Sequence, residues 1–265
     1  VTEQFMRDSL IPFRYEKGYY ALPEKQSFNM MFYRKDIFED LELKPPATWT
    51  ELISKVLPVV KRNNMEIGIG TLSSIQNMES YNIFTTLLYQ MGGRLYSNDL
   101  KSTNLNTIEA FTSFQQAVSL YKEYKFPQEY DSMNRFRTGE MPLVIANYTF
   151  SNNLAIGAPE LAGLWEMLPI PGTADDTGKI NRAQLFTATG AILFNKSNDV
   201  LAGWEFLKWW TGAEAQTRFG LEQEAVLGAS GRYNPANIHA IRNLPWNSKQ
   251  LKQLELQRNE CLAVP

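Results

Sequence analysis

His239 and Cys261 are the only histidine and cysteine in the 265 residues. A Ser-His or Cys-His nucleophile, or a His/Cys zinc cluster, would each rest on a single residue with no spacing motif around it. The lone cysteine excludes an internal disulfide, reads as a small buried hydrophobe, and leaves the compartment open. Asp175, Asp176 and Gly178 gather carboxylates, but not in the D-x-D-x-D-G-x5-E order of a calcium loop, so they read as a solvated turn. Gly68-Ile69-Gly70 lacks the third glycine and the strand-turn-helix frame of a dinucleotide fingerprint. What the sequence does supply is Asn147-Tyr148-Thr149-Phe150-Ser151, a loop of aromatic rings interleaved with amides and hydroxyls. Such a loop suits binding, because rings cover apolar faces while amides and hydroxyls fix polar groups.

The elements around that loop follow from periodicity. Phe28, Met30 and Phe32 alternate with Asn29, Met31 and Tyr33, a strand leaving a turn at Leu22-Pro23. A short amphipathic turn with Ile37, Phe38 and Leu41 ends before Pro45-Pro46. Thr48 and Glu51 then form a T-x-x-E capping box for a helix bearing Trp49, Leu52, Val56 and Val60, with a kink expected at Pro58. Residues 77–93 form a second helix, with Tyr81, Phe84, Leu87, Leu88 and Met91 on one face and Gly92-Gly93 as its stop. A third, capped by Asn106, carries Ile108, Phe111, Phe114, Val118 and Tyr121 as an apolar stripe and reads as scaffold. Residues 143–146 and 191–195 are apolar strands. Between them residues 165–172 are strand-like and close in a proline-glycine turn. A helix from Asn198 or Asp199 buries Trp204, Phe206, Trp209 and Trp210 by its spacing. A short helix follows to Phe219 with Gly220 as its stop, and residues 247–264 read as one amphipathic helix. Strands alternate with helices without repeat or linker, which argues α/β layers.

The segment LPEKQSFNMMFYRKDIFEDL, followed by PPATWTEL, resembles sugar-type extracellular solute-binding proteins of ABC importers. The residues that carry it are Tyr33, Lys35 and Asp36, then Pro46, Thr48, Trp49, Glu51 and Leu52. Arg34 stands where that family usually has asparagine. Further matches are Phe136, Gly139 and Met141, the A-P-E-L of residues 158–161, the P-x-P-G of residues 169–172, and W-E-F-L-K-W at residues 204–209. The resemblance implies a bilobed, type II periplasmic-binding-protein-like α/β fold. It would place residues 26–186 in a nearly complete lobe II and residues 1–25 and 187–246 in a partial lobe I. Residues 247–265 would start the return to lobe II, and the apolar run 191–195 would lack its usual neighbours.

The same resemblance implies the ligand and its contacts. Tyr148 and Tyr81 would stack on sugar rings, and Gln26, Ser27, Glu79, Asn82, Asn147, Gln184 and Thr187 would hydrogen-bond, with Trp246 a further aromatic candidate in a loop. Tyr81 also lies on the packing stripe of its helix, which accounts for it equally well. The implied partners are a mono- or oligosaccharide and ABC permease subunits, with no cofactor and no metal. The place is extracytoplasmic, as a surface lipoprotein or in the periplasm, attached to a membrane only through an anchor outside these residues. Composition agrees: 44% hydrophobic and 20% charged residues suit a globular chain, and a net charge of −2 gives no basic excess for nucleic acid. No apolar run reaches the ~18 residues of a membrane span. Two other readings stay open. A glycoside hydrolase needs two facing carboxylates, of which only Glu79 has a place near the cleft, and a receptor or sensor module would keep the fold for protein contact.

Overall fold

The computed structural model describes residues 1–70 and 83–263. Its centre is a four-stranded sheet in the order Ile67–Gly68, Leu143–Asn147, Asn29–Arg34, Trp165–Leu168. The first pair is parallel and the other two are antiparallel. The alternation in residues 28–33 sorts side chains between two apolar cores, because both faces of the sheet are covered. Phe28, Met30 and Phe32 enter one core with Phe136, Val144, Tyr148 and Phe150. Met31 and Tyr33 enter the other with Trp49, Leu52, Val56 and Leu143. Residues 22–27, expected to begin as a turn, form a strand of their own.

The capping box forms with one difference. Glu51 N donates to Thr48 Oγ1 at 3.1 Å, but the Glu51 carboxylate reaches the amide of Ala47 at 2.9 Å, one residue earlier than the reciprocal pattern. Trp49 is buried and its indole Nε1 donates to Gln90 Oε1 at 2.9 Å. The helix absorbs Pro58 through a π-helical segment, Leu52–Val56, that precedes Leu57–Arg62. A wider turn relieves the clash of the proline ring with the preceding carbonyls. Arg34, the departure from the family pattern, has a local role. Its guanidinium donates to both Asp36 oxygens, at 2.9 and 2.5 Å, and to the carbonyls of Phe136 and Arg137 at 3.2 Å. It ties the strand end to helix Ser132–Thr138. Gly68 and Gly70 serve packing: a Cβ on Gly68 would meet Met141 Sδ at 2.7 Å, and Gly70 takes φ 110°.

Several expectations are overturned, the helix faces because periodicity shows that a face exists but not which side is covered. Helix Ile108–Lys122, capped by Thr107 rather than Asn106, buries Ala110, Ser113, Ala117 and Leu120 and turns its large apolar stripe outward. Helix Val200–Trp210 has no buried residue, and Trp204 is 40% exposed. Residues 192–195 extend no strand, and Ile192 and Phe194 are exposed. Gly220 does not stop its helix, which runs Ala213–Leu227, because the missing Cβ lets it lie against Leu244, whose Cδ2 would be 2.6 Å from an added Cβ. The last helix is shorter than expected, Ser248–Arg258. Cys261–Leu262 then forms a strand parallel to Gln184–Leu185.

Candidate functional site

Strand Leu22–Ser27 enters the sheet region, and strand Thr187–Ala191 leaves it. They pair antiparallel, Thr187 opposite Ser27 and Ala188 opposite Gln26, with a register shift between Thr189 and Gly190. One residue beyond Ser27, Phe28 leads into the sheet, where Asn29 stands opposite Asn147. Chain crossing and sheet end therefore meet at Ser27, Asn147 and Thr187. Asn147 Nδ2 donates to Ser27 Oγ, and Thr187 Oγ1 approaches Ser27 O at 3.5 Å. Asn147 Oδ1 accepts from the Thr149 amide and hydroxyl, each at 3.0 Å. Asn147, Thr149 and Thr187 are half-buried.

Gln26 adds an unspent amide. It is buried, and neither Oε1 nor Nε2 has a hydrogen-bond partner. A buried amide without partners costs about 1–3 kcal/mol. Its backbone N–H donates to Asn234 O at 3.1 Å, and Glu24 O accepts from Ala236 N at 2.9 Å. The segment around Asn234-Pro235 thus lies beside the crossing, a neighbour the sequence reading did not name. The N-P dipeptide was its one signal, and that marks a turn without placing it.

Tyr148, Trp246 and Gln184 are not brought to this surface. Tyr148 is 1% exposed. Its ring packs on Phe28 at 5.0 Å and edge-on to Trp246 at 6.0 Å, and its hydroxyl donates to Gln26 O at 3.1 Å. It shows no open face for stacking, and burial pushes its phenol well above the usual tyrosine range. Trp246 is likewise core, with the Arg232 guanidinium 4.7 Å from its ring centroid. Gln184 is buried with its amide spent on backbone: Oε1 accepts from Asn29 N at 3.0 Å and Nε2 donates to Asn29 O at 2.8 Å. Glu79, Tyr81 and Asn82 lie outside the described residues.

A separate cavity of about 640 Å³ lies at the far end of the sheet, beside Trp165, Lys35, Glu166 and Lys249. Its charged groups already serve one another. Glu166 accepts from Lys249 at 2.5 Å and Tyr33 at 3.1 Å, with Lys35 at 3.6 Å. Among the described residues no group of three His, Cys, Asp or Glu could hold a metal ion, and no helix is long and apolar enough to cross a membrane.

The family model for bacterial extracellular solute-binding proteins matches residues 3–217. The chain belongs to that family. A binding protein of Brucella abortus (strain 2308) is 25% identical over 216 residues, covering 77% of this chain and 49% of its own length. This solute-binding chain therefore spans about half the length of those relatives. Its fold matches an ABC transporter solute-binding protein of Thermotoga lettingae bound with alpha-D-tagatose. The TM-score is 0.75 and the identity 18%, over 99% of this chain and 66% of that one. The sugar-binding protein MalE of Xanthomonas citri gives a TM-score of 0.76 at 18% identity, over 99% and 64%. The Listeria monocytogenes substrate-binding protein Lmo0181, in complex with cycloalternan, gives 0.73 at 15%, over 99% and 65%. The fold is thus the bilobed α/β fold of periplasmic binding proteins, and the family is extracellular.

Proposed function

We propose that this solute-binding chain is the extracytoplasmic recognition component of an ABC importer, which holds a mono- or oligosaccharide between two lobes and passes it, unchanged, to the permease. The observation that carries the reading is the polar cluster at the strand crossing: half-buried Asn147, Thr149 and Thr187 around buried Ser27, beside the unspent amide of Gln26. Hydroxyls and amides clustered this way match the donor and acceptor pattern of sugar hydroxyls. The tagatose, cycloalternan and maltose complexes of proteins sharing the fold support the ligand class.

The division into lobes belongs to the same reading. Residues 26–186 form lobe II, residues 1–25 and 187–246 contribute to lobe I, and residues 247–265 return to lobe II. Packing modifies the boundary at one point, since Tyr233, Ile241, Leu244 and Trp246 share a core with Phe28, Val144 and Tyr148. Glu79, Tyr81 and Asn82 remain proposed contacts from lobe II. Tyr148 and Trp246 act beneath the site, holding the Asn147 loop.

The test is a saccharide panel read by thermal shift on the full-length protein, with chromatography of the ligand afterwards. A ligand at 100 times its Kd stabilises by about 2.7 kcal/mol. A shift with intact ligand is expected. Turnover at about 1 per second would instead make the chain an enzyme, and a panel without any shift would remove saccharide as the ligand class.

A further inference from the structure

Helix Ile108–Lys122 carries large apolar residues on its outer side. Its core-facing side holds Ala110, Ser113 and Ala117 with Leu120 as its one large buried residue, while Ile108, Phe111 and Phe114 are 71%, 58% and 57% exposed, Phe114 lying edge-on to Phe84. A single exposed apolar residue needs no explanation, but a contiguous stripe of large ones marks an interaction surface. We propose that two copies of this chain associate through these helices, packed antiparallel about a two-fold axis at Gln115. The inference is independent of the saccharide reading.

Spacing favours this occupant. Ile108, Phe111, Gln115, Val118 and Lys122 fall at alternating intervals of three and four, the seam of a paired helix. The positions flanking the seam are Thr112, Phe114, Ser119 and Tyr121, so a copy brought alongside meets no like charge. Antiparallel pairing centred on Gln115 sets Phe111 near Val118 of the second copy. It also lays the Lys122 stem along Ile108 of the second copy, with the ammonium toward Glu109 there. Aliphatic stem and charge both find complements in this arrangement, which the parallel one would not give. Gln115 against itself offers one amide pair in an otherwise apolar seam, a device that fixes register.

The adjoining hairpin enlarges the patch. Tyr96 bridges Thr103, and Tyr96, Leu100 and Leu105 are exposed at the helix start. Leu100 adopts φ 59°, a left-handed conformation that glycine or asparagine holds at lower cost. A strained leucine at a solvent-facing tip fits a contact residue better than a turn former. Taking about 200 Å² for a fully exposed large side chain, the stripe and hairpin present roughly 700 Å² per copy, near the ~800 Å² per partner of a standard interface.

Sedimentation velocity, with circular dichroism as the fold control, reads the outcome on four proteins: wild type, Phe111→Glu with Val118→Glu, Gln115→Cys, and Trp209→Glu on the other exposed apolar helix. Wild type and Trp209→Glu should dimerise alike, and the double variant should dimerise at least about tenfold more weakly. Gln115→Cys should form a disulfide-linked dimer on mild oxidation, since the native Cys261 is buried and hydrogen-bonded to Gln257 O. This cross-link decides the case if the double variant fails to fold. A wild-type monomer at high micromolar concentration, a dimer abolished only by Trp209→Glu, or a dimer in which Gln115→Cys does not cross-link would each overturn the proposal.

Discussion

Gln184 clamps Asn29 by both of its backbone polar groups, giving an acceptor to the N–H at 3.0 Å and a donor to the C=O at 2.8 Å. A side-chain amide here replaces the neighbouring strand that Asn29 lacks on that side, and it fastens the segment leaving the sheet to the segment entering it. Gln184→Leu leaves two backbone groups unpaired at a buried position. We expect a loss of about 2–4 kcal/mol in urea denaturation. An unchanged midpoint would mean that water replaces the clamp without cost.

Tyr148 supports the fold rather than the ligand directly. Tyr148→Ala should destabilise by about 3–5 kcal/mol, as core aromatic truncations do. Tyr148→Phe, which loses only the bond to Gln26 O, should cost about 1 kcal/mol. Trp204→Ala, at 40% exposure, should cost less than about 1 kcal/mol. Chemical denaturation of the three variants orders them, and a reversed order would refute the burial argument.

The Arg34–Asp36 pair sets part of the acid limb of stability. Hydrogen bonding from Arg34, the largest influence, holds the Asp36 carboxyl below its usual range. A carboxyl lowered on folding contributes stability above its unfolded value of about 3.9, and that contribution fades as pH falls through the lowered value. Asp36 keeps partial access to water, so Arg34→Met should lower stability at neutral pH by about 1–2 kcal/mol. The gap to wild type should narrow as pH is taken from about 4 to about 2. Denaturation curves across that range check it, and a gap independent of pH would assign the loss to packing alone.

At the crossing, Asn147→Ala and Thr187→Ala remove side chains that are half-buried. Saccharide affinity of the full-length protein should fall about tenfold for Asn147→Ala, equivalent to about 1.4 kcal/mol. Stability should change less. Calorimetry with a ligand from the thermal-shift panel measures the first and denaturation the second. Equal affinity in both variants and wild type would move the site away from the crossing.

Gly220 makes a helix interior sensitive to one methyl group. Gly220→Ala sets a Cβ 2.6 Å from Leu244 Cδ2 and 3.3 Å from Tyr233 Cβ. Alanine's better helix propensity, worth about 1 kcal/mol, opposes an overpacking cost of about 1–3 kcal/mol. A small net loss is expected by thermal denaturation. A gain would show that Leu244 swings aside freely.

Local chemistry was the legible part of this chain. The Thr48 cap, the strand through Met30 and Phe32, and the self-closing Asp175 turn are each decided within a few residues, and each appears in the structure. The alternation of strands and helices gave the α/β class, and family motifs added the bilobed fold. Choices made by distant segments were not legible. Tyr148 matched the position of a stacking aromatic, but Trp246, far along the chain, packs against its ring. The stripe on helix Ile108–Lys122 was legible as a stripe, but not that Ile108, Phe111 and Phe114 lie outside while Ala110, Ser113, Ala117 and Leu120 pack inward. Gly220 looked like a terminator because its role depends on Leu244, which residues 213–220 do not foretell.

The pairing of Gln184–Leu185 with Cys261–Leu262 bears on how the molecule is made. During synthesis the sheet from Asn29 to Leu168 can pair once Leu168 has left the ribosome, and the core around Trp49 and Leu52 is then nearly complete, whereas the core around Phe28 and Tyr148 still awaits Tyr233, Leu244 and Trp246. The stretch behind the crossing cannot. Its parallel partner and the Gln257 side chain that accepts from Ile170 N, 87 residues further on, arrive only later. Long-range parallel contacts form slowly, so a nascent chain should persist with the sheet built and the crossing open, exposing Phe186 and Ala183 until helix Ser248–Arg258 docks. That interval is when an export chaperone would find the most to hold.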